Sequence, residues 1–167
     1  GTLTASVSTD TPNSQDVYIN PTDGVQNVPV LVFNLKSTIG DTTLTRFAVQ
    51  FSTTGIAASN VVPTIVKFYD GDTLVSSGNP NAAGIATFEN FRLAVAKDAT
   101  KKMTVKGDFA ALAAQGTNIV TSPGGLIVPA TSANSIYERA TGAIVNTIIT
   151  GGITGNTQYP VSYTHLT

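Results

Sequence analysis

Apolar and polar residues alternate along much of this chain, and this period of two predicts β-strands. The clearest strand covers residues 28–36. Leu31, Phe33 and Leu35 share one face of it, and the other face is also partly apolar. A strand that is apolar on both faces is typical of a central position in a sheet.

The same period predicts a series of strands separated by Gly, Pro, Asn and Asp. They cover residues 3–7, 17–20, 28–36, 43–51, 61–70, 73–76, 85–95, 103–109, 118–128, 135–139 and 143–150. Only residues 110–115 suit a helix, which Gly116 would end. Because no helix is long enough for a crossover connection, the pattern excludes a parallel sheet.

Two local features refine this pattern. Leu44 lies on the parity opposite to Phe47, which predicts a β-bulge or a change of register between them. Asp70, Gly71 and Asp72 form a turn signal, so the strands on either side are predicted to pair as a hairpin.

Composition places the chain among β-proteins with neutral polar faces. Of its 167 residues, 41% are apolar and only 11% are charged, and Thr is the dominant polar residue. The net charge is −1, and the sequence has no cluster of basic residues that would bind nucleic acid. The chain has no cysteine, so packing has to stabilise it, and it has no apolar run of transmembrane length.

These observations predict an all-β fold, a single Ig-like antiparallel β-sandwich over residues 1–160. Inward-facing residues from both sheets would form its core. They are Leu31, Phe33, Leu35, Phe47, Val49, Phe51, Phe68, Phe91, Leu93, Val105 and Phe109.

The middle of the chain carries a family resemblance. Residues 28–36, 67–74, 86–93 and 95–108 read VPVLVFNLK, KFYDGDTL, ATFENFRL and VAKDATKKMTVKGD. In this order they resemble the Ig-like modules repeated in large surface proteins of environmental bacteria, notably the candidate-phyla lineages. The resemblance covers residues 25–110. It implies a structural or adhesive role outside the cell and offers no catalytic residues to transfer.

Residues 161–167 form a separate feature at the end of the chain. Residues 161–166, VSYTHL, match a translation of the end of a transposon-based sequencing adapter. One hypothesis is that this tail is not native. The other is a genuine strand, in which Val161 and Tyr163 alternate with polar residues.

The sequence contains no motif for acid–base or nucleophilic catalysis. The only histidine, His165, lies in the suspect tail, and no Gly-x-Ser-x-Gly elbow is present. We therefore expect no enzyme activity and no cofactor. Asp70 and Asp72 are weak calcium candidates, and so is the group Asp10, Asn13 and Asp16, although such residues ordinarily serve turns.

Two further kinds of site can be considered. An internal isopeptide bond would join a lysine to an asparagine beside a carboxylate. The candidates are Lys36 and Lys67, Asn34 and Asn146, and Asp108 and Glu89, although Lys36, Lys106 and Asp108 are predicted to face away from the core. Sugar stacking would use exposed tyrosines, with Tyr18, Tyr69, Tyr137 and Tyr159 as candidates.

The expected function is that of a non-catalytic structural or adhesive module of a bacterial cell-surface protein or extracellular filament. Its partners would be tandem domains or identical subunits, and the segment from Thr2 to Thr9 could complete a neighbour's sheet, as in a strand-exchange polymer. The alternative for that segment is the first strand of its own sandwich. The alternative function is a carbohydrate-binding module that recognises surface glycans.

Overall fold

A computed structural model describes residues 2–54, 62–111, 119–120, 126–138, 144–145 and 153–163. These residues form strands and loops and contain no helix, hence none that could cross a membrane. The strands are β1 (Thr2–Val7), β2 (Gln15–Tyr18), β3 (Val25–Thr38), β4 (Thr42–Thr54), β5 (Ile65–Asp70), β6 (Thr73–Gly78), β7 (Ile85–Phe88), β8 (Leu93–Val95), β9 (Thr100–Phe109), β10 (Ile119–Val120), β11 (Leu126–Glu138), β12 (Ile144–Val145) and β13 (Gln158–Tyr163).

The strands form two sheets that pack face to face. The first sheet has the order β1-β3-β9-β5-β6. The second follows β10-β13-β11-β4-β7, with β12 beside β11, β2 beside β13 and β8 beside β4. One cluster of buried apolar residues draws on both sheets. The predicted all-β antiparallel sandwich is therefore confirmed.

Among the described strands, one pairing departs from the antiparallel rule. Strand β13 pairs in parallel with β2, so that Gln158 lies opposite Gln15 and Val161 opposite Tyr18. This ladder brings the second strand of the chain beside the last described one. Residues 161–163 belong to β13, and residues 164–167 lie outside the described residues.

Phenylalanine side chains fill the space between the sheets. The rings of Phe33 and Phe68, from the first sheet, alternate with those of Phe47 and Phe88, from the second. Neighbouring centroids are 5.1 Å apart from Phe33 to Phe47, 5.1 Å from Phe47 to Phe68 and 5.2 Å from Phe68 to Phe88. All eleven core residues predicted above are buried.

The irregularity predicted near Leu44 is also confirmed. In the pairing of β4 with β11, Arg46 lies opposite Ser135 but Leu44 lies opposite Ile136, so Thr45 is an extra residue. A bulge of this kind reverses the parity of the residues beyond it. It turns Leu44 into the core, where its side chain is fully buried.

The strand predicted over residues 85–95 is wrong in one respect, because it is broken into β7 and β8. Between them Asn90 has a φ of 60°, which no residue of a regular strand adopts. The break lets Phe91 pack edge-on against Phe68, with centroids 5.7 Å apart. The parity of the buried residues changes across the break, from Ala86 and Phe88 to Phe91, Leu93 and Val95. This change is visible in the sequence, although the prediction of one continuous strand overlooked it.

The later strands differ most from expectation. Strand β11 runs over 13 residues, whereas the pattern predicts one strand that ends at residue 128 and another that begins at residue 135. Pairing with β4 extends β11 through Pro129, which lies opposite Phe51. Of the helix predicted over residues 110–115, residues 112–115 lie outside the described residues.

We predict that Phe68→Ala destabilises the fold by about 3–5 kcal/mol, because its ring contacts partners from both sheets and the cavity cannot close without moving them. Urea unfolding measures the loss. Leu74→Ala is the control, since Leu74 is 51% exposed and its loss should change stability by no more than about 0.5 kcal/mol. Equal effects of the two variants would contradict the assigned core.

Candidate functional site

Three polar side chains from the three inner strands of the first sheet meet toward one end of those strands. The Lys67 Nζ donates a hydrogen bond to Asn27 Oδ1 at 2.9 Å and lies 3.0 Å from Asp108 Oδ2. The other carboxylate oxygen, Asp108 Oδ1, accepts the backbone N–H of Asn27 at 2.8 Å. We call Asn27, Lys67 and Asp108 the lysine cluster.

The strand order explains why these residues meet. Strand β9 lies between β3 and β5, so Asp108 on β9 has Asn27 on one side and Lys67 on the other. The β3–β9 register shifts between Val25 and Val28. In this bulge Asn27 has a φ of 57°, a left-handed conformation that asparagine tolerates better than most residues.

The approach of β3 to the end of β9 requires a glycine. Gly24, just before β3, has a φ of 73°, and a Cβ atom there would lie 2.2 Å from the backbone oxygen of Phe109. No side chain fits in that space. Gly24 therefore allows the bulge that carries Asn27 to reach Asp108.

Asp108 is buried although its parity faces away from the apolar core. Only 7% of the residue is exposed, because Asn27 and Lys67 cover it. Its backbone oxygen accepts hydrogen bonds from Thr64, from the N–H at 2.8 Å and from the hydroxyl at 3.2 Å. The buried carboxylate itself needs the Asn27 N–H and the Lys67 ammonium as partners, since an unpaired buried carboxylate would be strongly destabilising. The cluster is thus an anchored ion pair with a carboxamide beside it.

The sequence-based candidates for an isopeptide bond are only partly brought together. Lys67 and Asp108 meet, but Lys36 is exposed and Glu89 pairs with Arg46 at 3.3 Å. Asn34 lies opposite Lys102 on β9 rather than at the cluster, and Asn146 lies outside the described residues.

Sequence reasoning did not identify Asn27. It lies just before the strand predicted over residues 28–36, and a period-two pattern does not show that a bulge turns its backbone toward β9. The signal available was Asn27 itself, shortly after the turn residues Asp23 and Gly24, since asparagine is suited to positive φ.

Two of the weak calcium candidates, Asp70 and Asp10, have lysine partners. Asp70 Oδ2 lies 2.8 Å from Lys101 Nζ, so this carboxylate already has a cationic partner. Gly71, between the two aspartates, has a φ of 59° and makes the predicted hairpin turn from β5 to β6. Asp10 pairs with Lys102. Among the described residues, no three acidic or histidine side chains are grouped to hold a metal ion.

The tyrosine candidates are divided between the two sheets. Tyr18 on β2 and Tyr159 on β13 lie on the same outward face of the parallel ladder, because Tyr159 is opposite Asp16, two residues before Tyr18. Tyr18 is 44% exposed, and Tyr159 is half-buried. Tyr69 instead lies in the first sheet beneath Lys106 Nζ, 4.5 Å from its ring centroid. Nothing is described of the side chain of Tyr137.

The segment from Thr2 to Thr9 begins with β1, which pairs antiparallel with β3 of its own chain. Thr2 lies opposite Thr38 and Val7 opposite Phe33. Leu3 is fully buried in the core. After the strand, the N–H of Ser8 donates to the backbone oxygen of Val32 at 2.9 Å. The segment therefore occupies the first-strand position of this sandwich.

Comparison with known proteins adds little about function. No family model and no curated protein matches the chain. Among solved structures, it is similar to a family 123 glycoside hydrolase from Clostridium perfringens, with 14% identity and a TM-score of 0.40. The match covers 96% of this chain and 27% of that one, so the chain spans about a quarter of the enzyme's length. A likeness at this level carries no argument about activity.

We predict that Asp108→Ala destabilises the protein by about 1.5–3 kcal/mol, since it removes charged hydrogen-bond partners from Lys67 and from the Asn27 N–H. Asp70→Ala, which breaks a more exposed ion pair, should cost no more than about 1 kcal/mol. Urea unfolding of both variants tests the ranking. A larger loss in Asp70→Ala would contradict the role assigned to the lysine cluster.

Proposed function

We propose that this chain is a structural, load-bearing module of Ig-like type in a bacterial cell-surface protein or extracellular filament. The observation that carries the proposal is the parallel ladder between β2 and β13. This ladder matters for function because a force along the main chain would pull its two strands in opposite directions.

Parallel strands have their beginnings at the same end. A pull toward the start of the chain first loads β1, which pairs with β3, and acts on the beginning of β2 once β1 has detached. A pull toward the end acts on the far end of β13. The two strands would then slide past each other, so the hydrogen bonds between them share the load. When two strands are pulled apart from the same end, the hydrogen bonds between them break one after another, at a lower force.

The packing behind this ladder supports the same role. Val17 of β2 and Pro160 of β13 lie opposite each other and are both buried. Sliding the strands would therefore also expose apolar side chains to water, which adds to the resistance. The resemblance of residues 25–110 to repeated surface modules is consistent with this function.

Partners for such a module would be tandem domains or further copies of the chain. β1 is held by pairing with one neighbour, β3, and by the burial of Leu3. The same groove could receive the equivalent strand of another copy, which would produce a strand-exchange polymer. In this proposal the module acts outside the cell, where filaments and surface arrays bear force.

We predict that Val17→Pro lowers the force needed to unfold the module between handles at its two ends. Pro160 has no N–H, so the ladder donor at this position has to come from Val17. Asp16→Pro is the matched control, because N–H groups alternate along a strand and the Asp16 N–H faces the edge away from β13. Single-molecule force spectroscopy compares the peaks. Equal forces in both variants and the parent would contradict the load-bearing ladder.

The second candidate function is carbohydrate binding, which the shared outward face of Tyr18 and Tyr159 favours. Sugar rings stack on exposed aromatic faces, and two neighbouring tyrosines offer such a surface. We predict for this alternative that the protein binds on a glycan array and that Tyr18→Ala abolishes the signal, while Tyr69→Ala on the other sheet preserves it. An array with no signal for the parent protein would exclude the alternative for the glycans displayed.

A further inference from the structure

We propose that the lysine cluster forms an internal isopeptide bond between Lys67 and Asn27, with Asp108 as the proton carrier. Among the ion pairs of the described residues, this is the one in which a carboxamide oxygen also contacts the lysine nitrogen. The amine needed for amide exchange thus lies within hydrogen-bond distance of both the carboxamide and the carboxylate. The backbone N–H of the same asparagine holds the carboxylate.

The bond change balances without any further reactant. Asp108 Oδ2 accepts a proton from the Lys67 ammonium at 3.0 Å, which leaves a neutral amine. After the Asn27 amide rotates, this amine attacks its Cγ. The new Nζ–Cγ bond forms, the Cγ–Nδ2 bond breaks, and the attacking nitrogen loses a second proton. The departing Nδ2 takes up this proton and the one that Asp108 returns, so it leaves as ammonium and Asp108 ends as the carboxylate. No electron is transferred to or from another molecule.

The surroundings hold the reacting groups in place. The Asn27 N–H fixes Asp108 Oδ1, while Oδ2 stays directed at the lysine. The Lys67 side chain is 20% exposed and that of Asp108 is 10% exposed. Partial exclusion of water from this ion pair strengthens the carboxylate–amine interaction. Asn27 is exposed, so the departing nitrogen can leave directly into solvent.

The product would link the two outer strands of the unit β3-β9-β5. Asn27 lies on β3 and Lys67 on β5, and these strands contact each other only through β9 in the sheet order. A covalent bond between them would prevent β9 from being pulled out of the first sheet. This inference does not depend on the load-bearing ladder, which lies in the second sheet, so either proposal can fail alone.

Intact mass spectrometry of the folded, purified chain tests the proposal. Loss of one ammonia lowers the mass by about 17 Da. We expect this deficit in the parent protein, together with a tryptic fragment in which the peptides that contain Asn27 and Lys67 are joined and the chain is uncut after Lys67. A parent protein with its full calculated mass after prolonged incubation would overturn the proposal.

Three variants identify the bond. Lys67→Arg keeps the positive charge beside Asp108 but lacks the amine, Asn27→Gly keeps the left-handed backbone but lacks the carboxamide, and Asp108→Asn keeps the shape but lacks the base. Each should have its full calculated mass. Lys106→Arg is the matched control, since Lys106 lies opposite Lys67 in the β5–β9 ladder and should keep the deficit.

The control variants also separate this reaction from cyclisation of an asparagine onto its own backbone, which releases ammonia as well. A deficit that persists in Lys67→Arg would come from such cyclisation and would overturn the proposal. If Asp108→Asn fails to fold, Lys67→Arg still decides the matter, because it preserves the ion pair on which folding depends.

Discussion

The column of stacked phenylalanine rings between the two sheets is the interaction on which the rest of this structure depends. Phe33, Phe47, Phe68 and Phe88 come from four different strands and alternate between the sheets. Each aromatic pair adds about 0.5–1.5 kcal/mol beyond the burial of its surface. Since the chain has no cysteine, this packing takes the place of a disulfide in holding the sheets together.

The column also determines where polar groups can lie. With the inward face of β9 committed to apolar residues such as Met103 and Val105, Asp108 is directed to the opposite face. There the bulge in β3 and the lysine of β5 close over it. The lysine cluster is therefore a consequence of the central position of β9, and it joins β3, β9 and β5 on the side of the sheet opposite the core.

A mechanical role and a covalent cross-link would complement each other. The parallel β2–β13 ladder lies in the second sheet, and the lysine cluster lies in the first. A bond between Asn27 and Lys67 would keep the first sheet intact after the ladder yields. The module would then extend in stages rather than unravel completely, which suits a protein that is repeatedly stretched.

The sequence by itself determined most of the strands up to residue 109, the hairpin turn at Gly71 and the inward residues, because alternation and turn chemistry are local properties of the chain. It even revealed the bulge near Leu44, since a single residue of wrong parity is visible in the pattern. Only the tertiary structure decided the length of β11 and the meeting of Asn27 with Lys67 and Asp108. Those features depend on which strands become neighbours, and pairing between residues 40 and 81 positions apart leaves no local period in the sequence.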